Sequence, residues 1–350
     1  MWAALLLALT LGMTALSTPP PSTGSWSQLP SLPDPEGFAG AFAGVSGDAL
    51  LVTGGANIVG DRWGRTLNKV WYDDVYLLDR PDGAWRKVGK LPRANGYGVS
   101  LTVPNGVLCI GGGDAHENFR DVILLSWSGD RLNSKALPPL PRPCAMMCGA
   151  LVGQTVYLAG GIDTPTATSA LKTFWSLDLN ALEAGWRELE PCPGSARILG
   201  VAGAMESAFY LFSGASLSAG PDGKPVREYL RDAWRYVPGR GWEHLADLPR
   251  PAVAAASPAP SVGGWLYVCS GDDGANVTFE PVQDHPGFPR DTLCYHPQDN
   301  TWQTQPGMPF SRATVPVVAW KDSYILPNGE VRPRVRTPEV WRLALPEPAR

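Results

Sequence analysis

The sequence predicts an all-β fold, a six-bladed β-propeller closed by its N-terminal strand, on three observations. An apolar run ending at a glycine recurs six times: LLVTGG to Gly55, LCIGG to Gly112, YLAGG to Gly161, YLFSG to Gly214, YVCSG to Gly271 and YILPNG to Gly329. The intervals are 57, 49, 53, 57 and 58 residues. A second apolar run and usually a Trp follow each glycine, and the 39 Gly and 35 Pro are spread along the whole chain, which means many turns between short strands. A period near 50 residues with about four short strands per unit is the pattern of a propeller blade.

Taken in chain order, the first segment is a targeting signal. Residues 2–16 carry no charge and are mostly apolar, and Ala15-Leu16-Ser17 offers a small-x-small cleavage pattern. A signal peptide over 1–17 and an exported, periplasmic or secreted protein are expected. The run is shorter than the roughly 20 residues a spanning helix needs, so no membrane span is expected after cleavage. The rest reads as one domain, 18–350. Length alone would suggest two, but the evenly spaced repeats argue for a single ring.

Second apolar strands follow the glycines at Asp74–Leu78, Phe174–Leu179, Ala233–Val237 and Thr292–Tyr295. Trp85, Trp186, Trp242 and Trp302 then stand 25 to 31 residues after their glycines. A Trp at this recurring place is expected to pack blade on blade. The sixth repeat runs out of chain after Val340–Leu345, and its outer strand is missing there. Residues 25–30, Ser25-Trp26-Ser27-Gln28-Leu29-Pro30, repeat the Trp-containing fourth strand and are expected to complete the last blade, leaving no open sheet edge.

Composition narrows the function. With 44% apolar and 18% charged residues the chain is globular, and a net charge of −4 gives no nucleic-acid footprint. Of six Cys, Cys109 and Cys269 sit in apolar strands and are expected to act as buried hydrophobes. An even count in an exported chain leaves disulfides open. Cys144 and Cys148 have no second ligand pair at zinc-site spacing, so neither metal nor cofactor is expected. Gly-x-Ser-x-Gly, the P-loop and His-Glu-x-x-His are all absent.

In antiparallel blades successive turns alternate between faces. The turn leading into each innermost strand and the turn after each double glycine therefore share one face, over the central channel. Five of the six inner turns hold an Arg: Arg93, Arg142, Arg197, Arg250 and Arg312. Such arginines could bind a small carboxylate or phosphate, or could tie strands and blades together by ion pairs. The long post-glycine loops add Trp63, His116, Glu117, Asn118, Asp272, Asp273 and His285, each expected as a solvated or hydrogen-bonded loop residue. The last of these loops, Asn328–Thr337, concentrates Glu330 with Arg332, Arg334 and Arg336.

The repeat pattern resembles kelch repeats over essentially the whole mature chain. Asn328-Gly329-Glu330, with Arg336-Thr337 six residues beyond the Glu, resembles the signature of N-acetylneuraminate epimerases, the sialic acid mutarotases. Residues 37–44 with Gly54-Gly55-Ala56, and Arg93–Ser100, resemble that family too. The Glu/Arg blade comes last, an order similar to the cyclically permuted branch of the family, and Arg334 stands where a Gly is expected. The resemblance implies an isomerase that interconverts anomers of N-acetylneuraminate or a related acidic sugar, with Glu330 and Arg336 as the catalytic pair. Substrate binding is expected from Arg93, Arg142, Arg197, Arg250 and Arg312 by their place at the channel mouth, and from Asn328 beside the catalytic pair. Guanidinium stays protonated, so Arg336 would hold the sugar carboxylate or developing negative charge while Glu330 moves the proton. The roles of Arg332 and Arg334 stay open. A non-catalytic kelch propeller that binds a carbohydrate or a protein is the alternative.

Overall fold

Each glycine-terminated run becomes the second strand of a four-stranded antiparallel sheet. The computed structural model describes residues 25–344; the expected signal peptide, 1–17, lies outside them. Blade 1 is Phe42–Ser46, Ala49–Thr53, Asp74–Leu78 and Arg86–Lys90; blade 2 is Val99–Val103, Gly106–Ile110, Val122–Ser128 and Arg131–Ala136. Blade 3 is Cys148–Val152, Thr155–Ala159, Phe174–Asp178 and Arg187–Glu188; blade 4 is Val201–Met205, Ala208–Phe212, Ala233–Val237 and Gly241–Leu245. Blade 5 is Ser261–Val262, Trp265–Cys269, Asp291–His296 and Thr301–Pro306. Blade 6 takes Val318–Trp320, Ser323–Pro327 and Val340–Ala344 from the end of the chain and Trp26–Leu29 from its start. The six-bladed architecture is thus the one the repeats predict, and residues 26–29 close the ring.

The glycine corner explains why the repeat is so regular. Its first residue has φ between +52° and +71° in all six blades, at Gly54, Gly111, Gly160, Ser213, Ser270 and Asn328. Its second is always glycine, with φ between +86° and +106°. The N–H of that second glycine reaches the next blade, as in Gly55 to Asn95 O, Gly112 to Cys144 O, Gly161 to Arg197 O and Gly329 to Phe38 O, at 2.8–2.9 Å. A Cβ at Gly55 would lie 2.8 Å from the Phe38 ring, and one at Gly271 would lie 2.6 Å from Ala255 Cβ. The glycine is therefore needed both for its dihedral angle and for the close approach of the inner turn of its own blade.

Packing between blades is apolar and aromatic. Phe42, Leu51 and Leu77 of blade 1 meet Val107, Cys109 and Leu125 of blade 2 in one buried cluster, and similar clusters fill the other seams. Outer-strand Trp side chains lie at these seams. The indole N–H of Trp85, Trp186, Trp242 and Trp302 donates to Pro30, Pro138, Glu190 and Ala246 carbonyls of the preceding blade, at 2.7–3.0 Å.

A second ring runs inside the first. Gly40, Tyr97, Met146, Leu199, Ala254 and Thr314, one from each inner turn, all have φ between +52° and +67°. Their backbones form a closed cycle of hydrogen bonds at 2.7–2.8 Å, Gly40 donating to Thr314, Tyr97 to Gly40, Met146 to Tyr97, Leu199 to Met146, Ala254 to Leu199 and Thr314 to Ala254. This collar narrows the channel. Beneath it lies a cavity of about 80 Å³ lined by inner-strand residues such as Val99, Met147 and Cys148. Water occupies roughly 30 Å³ in the liquid, so that space suits a few waters and not a sugar.

Candidate active site

The site grows from the last post-glycine loop. After Gly329 the chain forms a small hairpin, Glu330–Arg332 with Val335–Arg336, in which Glu330 and Arg336 are direct cross-strand partners. Pro333 and Arg334 occupy its turn, and Arg334 has φ +70°. A proline followed by a left-handed residue is the pattern of a type II turn, which usually takes glycine at the second place. Here Arg334 takes it, and its N–H donates to Glu330 Oε1 at 2.9 Å. Its guanidinium bonds the Arg62 carbonyl of blade 1 at 3.1 Å, while Arg332 donates to Gln283 O of blade 5 and lies 5.8 Å from the Trp63 ring. Both arginines brace the hairpin against neighbouring loops.

Glu330 Oε1 also accepts from Arg336 at 2.7 Å, and only 9% of Arg336 is exposed. Burial pulls the Arg336 guanidinium toward neutrality, but the Glu330 charge and contact with Tyr97 more than offset this and hold it above its ordinary value. Its Nε is buried with no hydrogen-bond partner among the described residues. The result is a fixed carboxylate beside a permanently charged guanidinium, on the channel-mouth face.

Tyr97 extends the site sideways. It belongs to the backbone collar, its side chain lies against Arg336, and the Lys69 ammonium stands over its ring at 4.2 Å. Lys69 is also 4.8 Å from the Trp71 ring. These residues open onto a pocket of about 250 Å³, bounded across from Lys69 by Asn118, Met146 and Ile162. It lies above the collar, on the side where the post-glycine loops gather. Asp114 lines it too, with Oδ1 accepting the N–H groups of His116 at 2.7 Å and Glu117 at 3.0 Å. Burial works against the charged form of Asp114, yet those N–H groups, with the His116 and Arg93 charges, hold its pKa below the usual range.

The expected ring of five arginines is not what the chain builds. Counted back from the collar residue, Arg93, Arg142 and Arg250 stand four places earlier, whereas Arg197 and Arg312 stand two places earlier. Four of them meet a carboxylate at the start of the third strand of their own blade. Arg93 meets Asp121 at 3.2 Å, Arg197 meets Asp232 at 2.6 Å, Arg312 meets Glu339 at 2.8 Å, and Arg250 meets Asp291. Arg197 and Arg312 are almost wholly buried. The strand-tying role therefore accounts for Arg197, Arg250 and Arg312, and substrate contact is not their visible use. Arg93 is half-exposed and stacks over Phe119 at 4.5 Å. Arg142, whose blade has Thr173 where the others have an acid, is exposed and pairs with no carboxylate among the described residues.

Asn328 is fully buried, its side-chain amide has no partner among the described residues, and it lines neither pocket. It holds the glycine corner that Ser213 and Ser270 hold elsewhere. Asp272 accepts from Tyr229 Oη at 2.9 Å, His285 Nδ1 accepts the Gly287 N–H, and Asp273 caps Ala275 N–H. Asn118 donates to Ile162 O at the pocket wall, and Glu117 lies 3.7 Å from Arg93. The six cysteines are buried free thiols, with Cys144 and Cys148 pushed up to about 12 by burial. Sequence reasoning passed over Lys69, Trp71 and Tyr97. For Tyr97 the one available signal was its place within Arg93–Ser100, a stretch singled out for its family resemblance and not for a site role.

The comparisons bear on the third of the chain that supplies most of this pocket's wall. Residues 14–134 match the family model of N-acetylneuraminate epimerase. An N-acetylneuraminate epimerase of Brucella melitensis is 42% identical over 124 residues, covering 33% of this chain and 30% of the relative. One from Haemophilus influenzae is 40% identical over 122 residues, covering 31% and 32%. The aligned stretch thus spans about a third of the length of these epimerases. The family-model match takes in Lys69, Trp71, Arg93 and Tyr97 and stops short of Glu330 and Arg336. The solved "Structure of YjhT" superposes over 90% of this chain and 96% of that one with a TM-score of 0.66 at 14% identity, a likeness of fold.

Proposed function

We propose that this protein is an exported mutarotase that interconverts the anomers of N-acetylneuraminate or a closely related acidic sugar. The observation that carries the reading is the Glu330–Arg336 pair, fixed on one hairpin at the channel mouth and linked by Tyr97 to a pocket most of whose wall comes from the stretch similar to the epimerases. A rotated blade order in a closed ring would break a colinear match, which agrees with an alignment limited to the first blades.

The chemistry asks little beyond positioned proton transfer. The anomeric hydroxyl loses its proton as the bond from the anomeric carbon to the ring oxygen breaks, the ring oxygen gains a proton, and the resulting keto acid recloses on its other face. Glu330 takes the first proton and returns one to the ring oxygen, directly or through a water. Arg336 stays protonated throughout, orients Glu330 and offsets negative charge that develops on the sugar.

α-N-Acetylneuraminate released in situ and followed by proton NMR tests this. The wild type should equilibrate the anomers well ahead of buffer, and Glu330→Gln should slow the enzymic rate by about 10²–10⁴-fold, the usual weight of a positioned general base. Equilibration no faster than buffer would favour a non-catalytic, carbohydrate- or protein-binding propeller; full rate in the variant would remove Glu330 from the chemistry.

A further inference from the structure

We infer that Lys69 is the anion anchor of this site, a specificity-determining residue that recognises the carboxylate of a sugar acid held in the pocket that Lys69 and Tyr97 line; the inference rests on the mutarotase reading for its substrate class. The argument starts from charge. Glu330 and Arg336 form one contact pair, so together they offer an incoming anion no net positive charge. Arg93 pairs with Asp121 and Glu117, Arg197 with Asp232 and Arg312 with Glu339, and Arg142, which pairs with no carboxylate among the described residues, does not line this pocket. Among the residues lining the 250 Å³ pocket, Lys69 is the cation, and it has no carboxylate within ion-pair distance among the described residues.

What Lys69 has instead is two aromatic faces, Tyr97 at 4.2 Å and Trp71 at 4.8 Å. A ring face holds an ammonium in place without cancelling its charge. Asp114, the other charged group on the pocket wall, has Oδ1 turned to the backbone N–H groups of His116 and Glu117. Tyr97 joins the two ends of the site, touching Arg336 with its side chain while its ring carries Lys69. The Trp71 indole N–H, also on the pocket wall, is buried with no acceptor among the described residues. The Lys69 ammonium is thus the donor this pocket offers to a carboxylate, while the indole N–H of Trp71 lies buried in its wall and Arg336 stands beyond Tyr97.

Calorimetry on wild type, Lys69→Met and Lys69→Arg, with N-acetylneuraminate, its uncharged methyl ester and glucuronate as probes, tests the anchor separately from catalysis. The wild type should prefer an acid to the ester by about tenfold or more. Lys69→Met should weaken acid binding by about tenfold and leave the ester unchanged, Lys69→Arg should retain the preference, and 0.5 M salt should narrow it in the wild type. No acid preference in the wild type, or equal loss of acid and ester in Lys69→Met, would overturn the anchor, the second outcome marking a shape role. A Lys69-dependent preference for an acid in a protein that does not speed anomer exchange would keep the anchor and sink the mutarotase reading. Anomer exchange with the same KM in wild type and Lys69→Met would do the reverse.

Discussion

At the scale of single residues the fold depends on backbone conformations that few side chains tolerate. The second glycine of each corner has φ from +86° to +106°, and at Gly271 a Cβ would press on Ala252 and Ala255 of the inner turn, so Gly271→Ala should cost about 2–4 kcal/mol from strain and overpacking together, read by urea denaturation. The first corner position is less demanding, since Ser213 and Ser270 occupy it at φ +52° and +59°. Asn328→Ser should therefore change stability by no more than about 1 kcal/mol, because the amide it removes is buried and unbonded. A large loss in Asn328→Ser would mean that the amide is bound in solution. The glycines were legible in the sequence because their requirement is local and repeats. Tyr97 and Lys69 were not, because each is defined by what neighbouring blades bring to it: the collar sets Tyr97, and Tyr97 and Trp71 set Lys69.

At the scale of elements the arginine-to-acid locks decide how the inner turn meets the third strand. Arg197 donates to both Asp232 oxygens at 2.8 and 2.6 Å and to Ser213 O at 2.9 Å, and the Trp234 indole N–H bonds Asp232 at 2.6 Å. Burial raises the Asp232 carboxyl, but the hydrogen bonds and charge of Arg197 win and hold its pKa below the ordinary value. Arg197→Met should cost about 3–5 kcal/mol at pH 7, since it strands a partly buried carboxylate. The sign of the pH dependence follows. A folded pKa below the unfolded one, about 3.9, gives stability that is complete above that pH and disappears as pH falls through the folded value. The gap between wild type and Arg197→Met in urea should therefore shrink below about pH 4, and a gap constant down to pH 2 would rule the lock out. The acids Asp121, Asp232, Asp291 and Glu339 stand at the start of the third strand in plain view in the sequence. The ion-pair role was therefore legible as one of two readings, and what decides it, the reach from inner turn to third strand, is set only by the fold.

At the scale of the whole molecule the ring is held shut by residues nearly the length of the chain apart. Trp26, Ser27, Gln28 and Leu29 pair with Leu343, Arg342, Trp341 and Val340, and Trp26 packs edge-on against Phe310 at 4.9 Å. Leu29 is buried in the seam with Phe38, Leu50 and Val340, and Pro30 accepts the Trp85 indole N–H. Without residues up to Pro30, Val340–Ala344 becomes an exposed edge, the seam between blades 6 and 1 opens, and Trp85 loses its acceptor. Burial of Trp26 and Leu29 alone is worth about 4–6 kcal/mol, which at a few degrees per kcal/mol predicts a Tm lower by roughly 10 °C for a chain that begins at Ser31. An open edge also invites strand pairing between molecules, so the truncated protein should run as dimers or larger species in light scattering. A synthetic peptide of residues 25–30 should restore both Tm and monomeric size by supplying the missing strand. A truncated protein with unchanged Tm would show that three strands suffice for blade 6. Because blade 6 carries Glu330 and Arg336 while blade 1 carries Lys69, the same truncation should weaken acid binding more than it lowers Tm would suggest, since the site spans the seam that this strand closes.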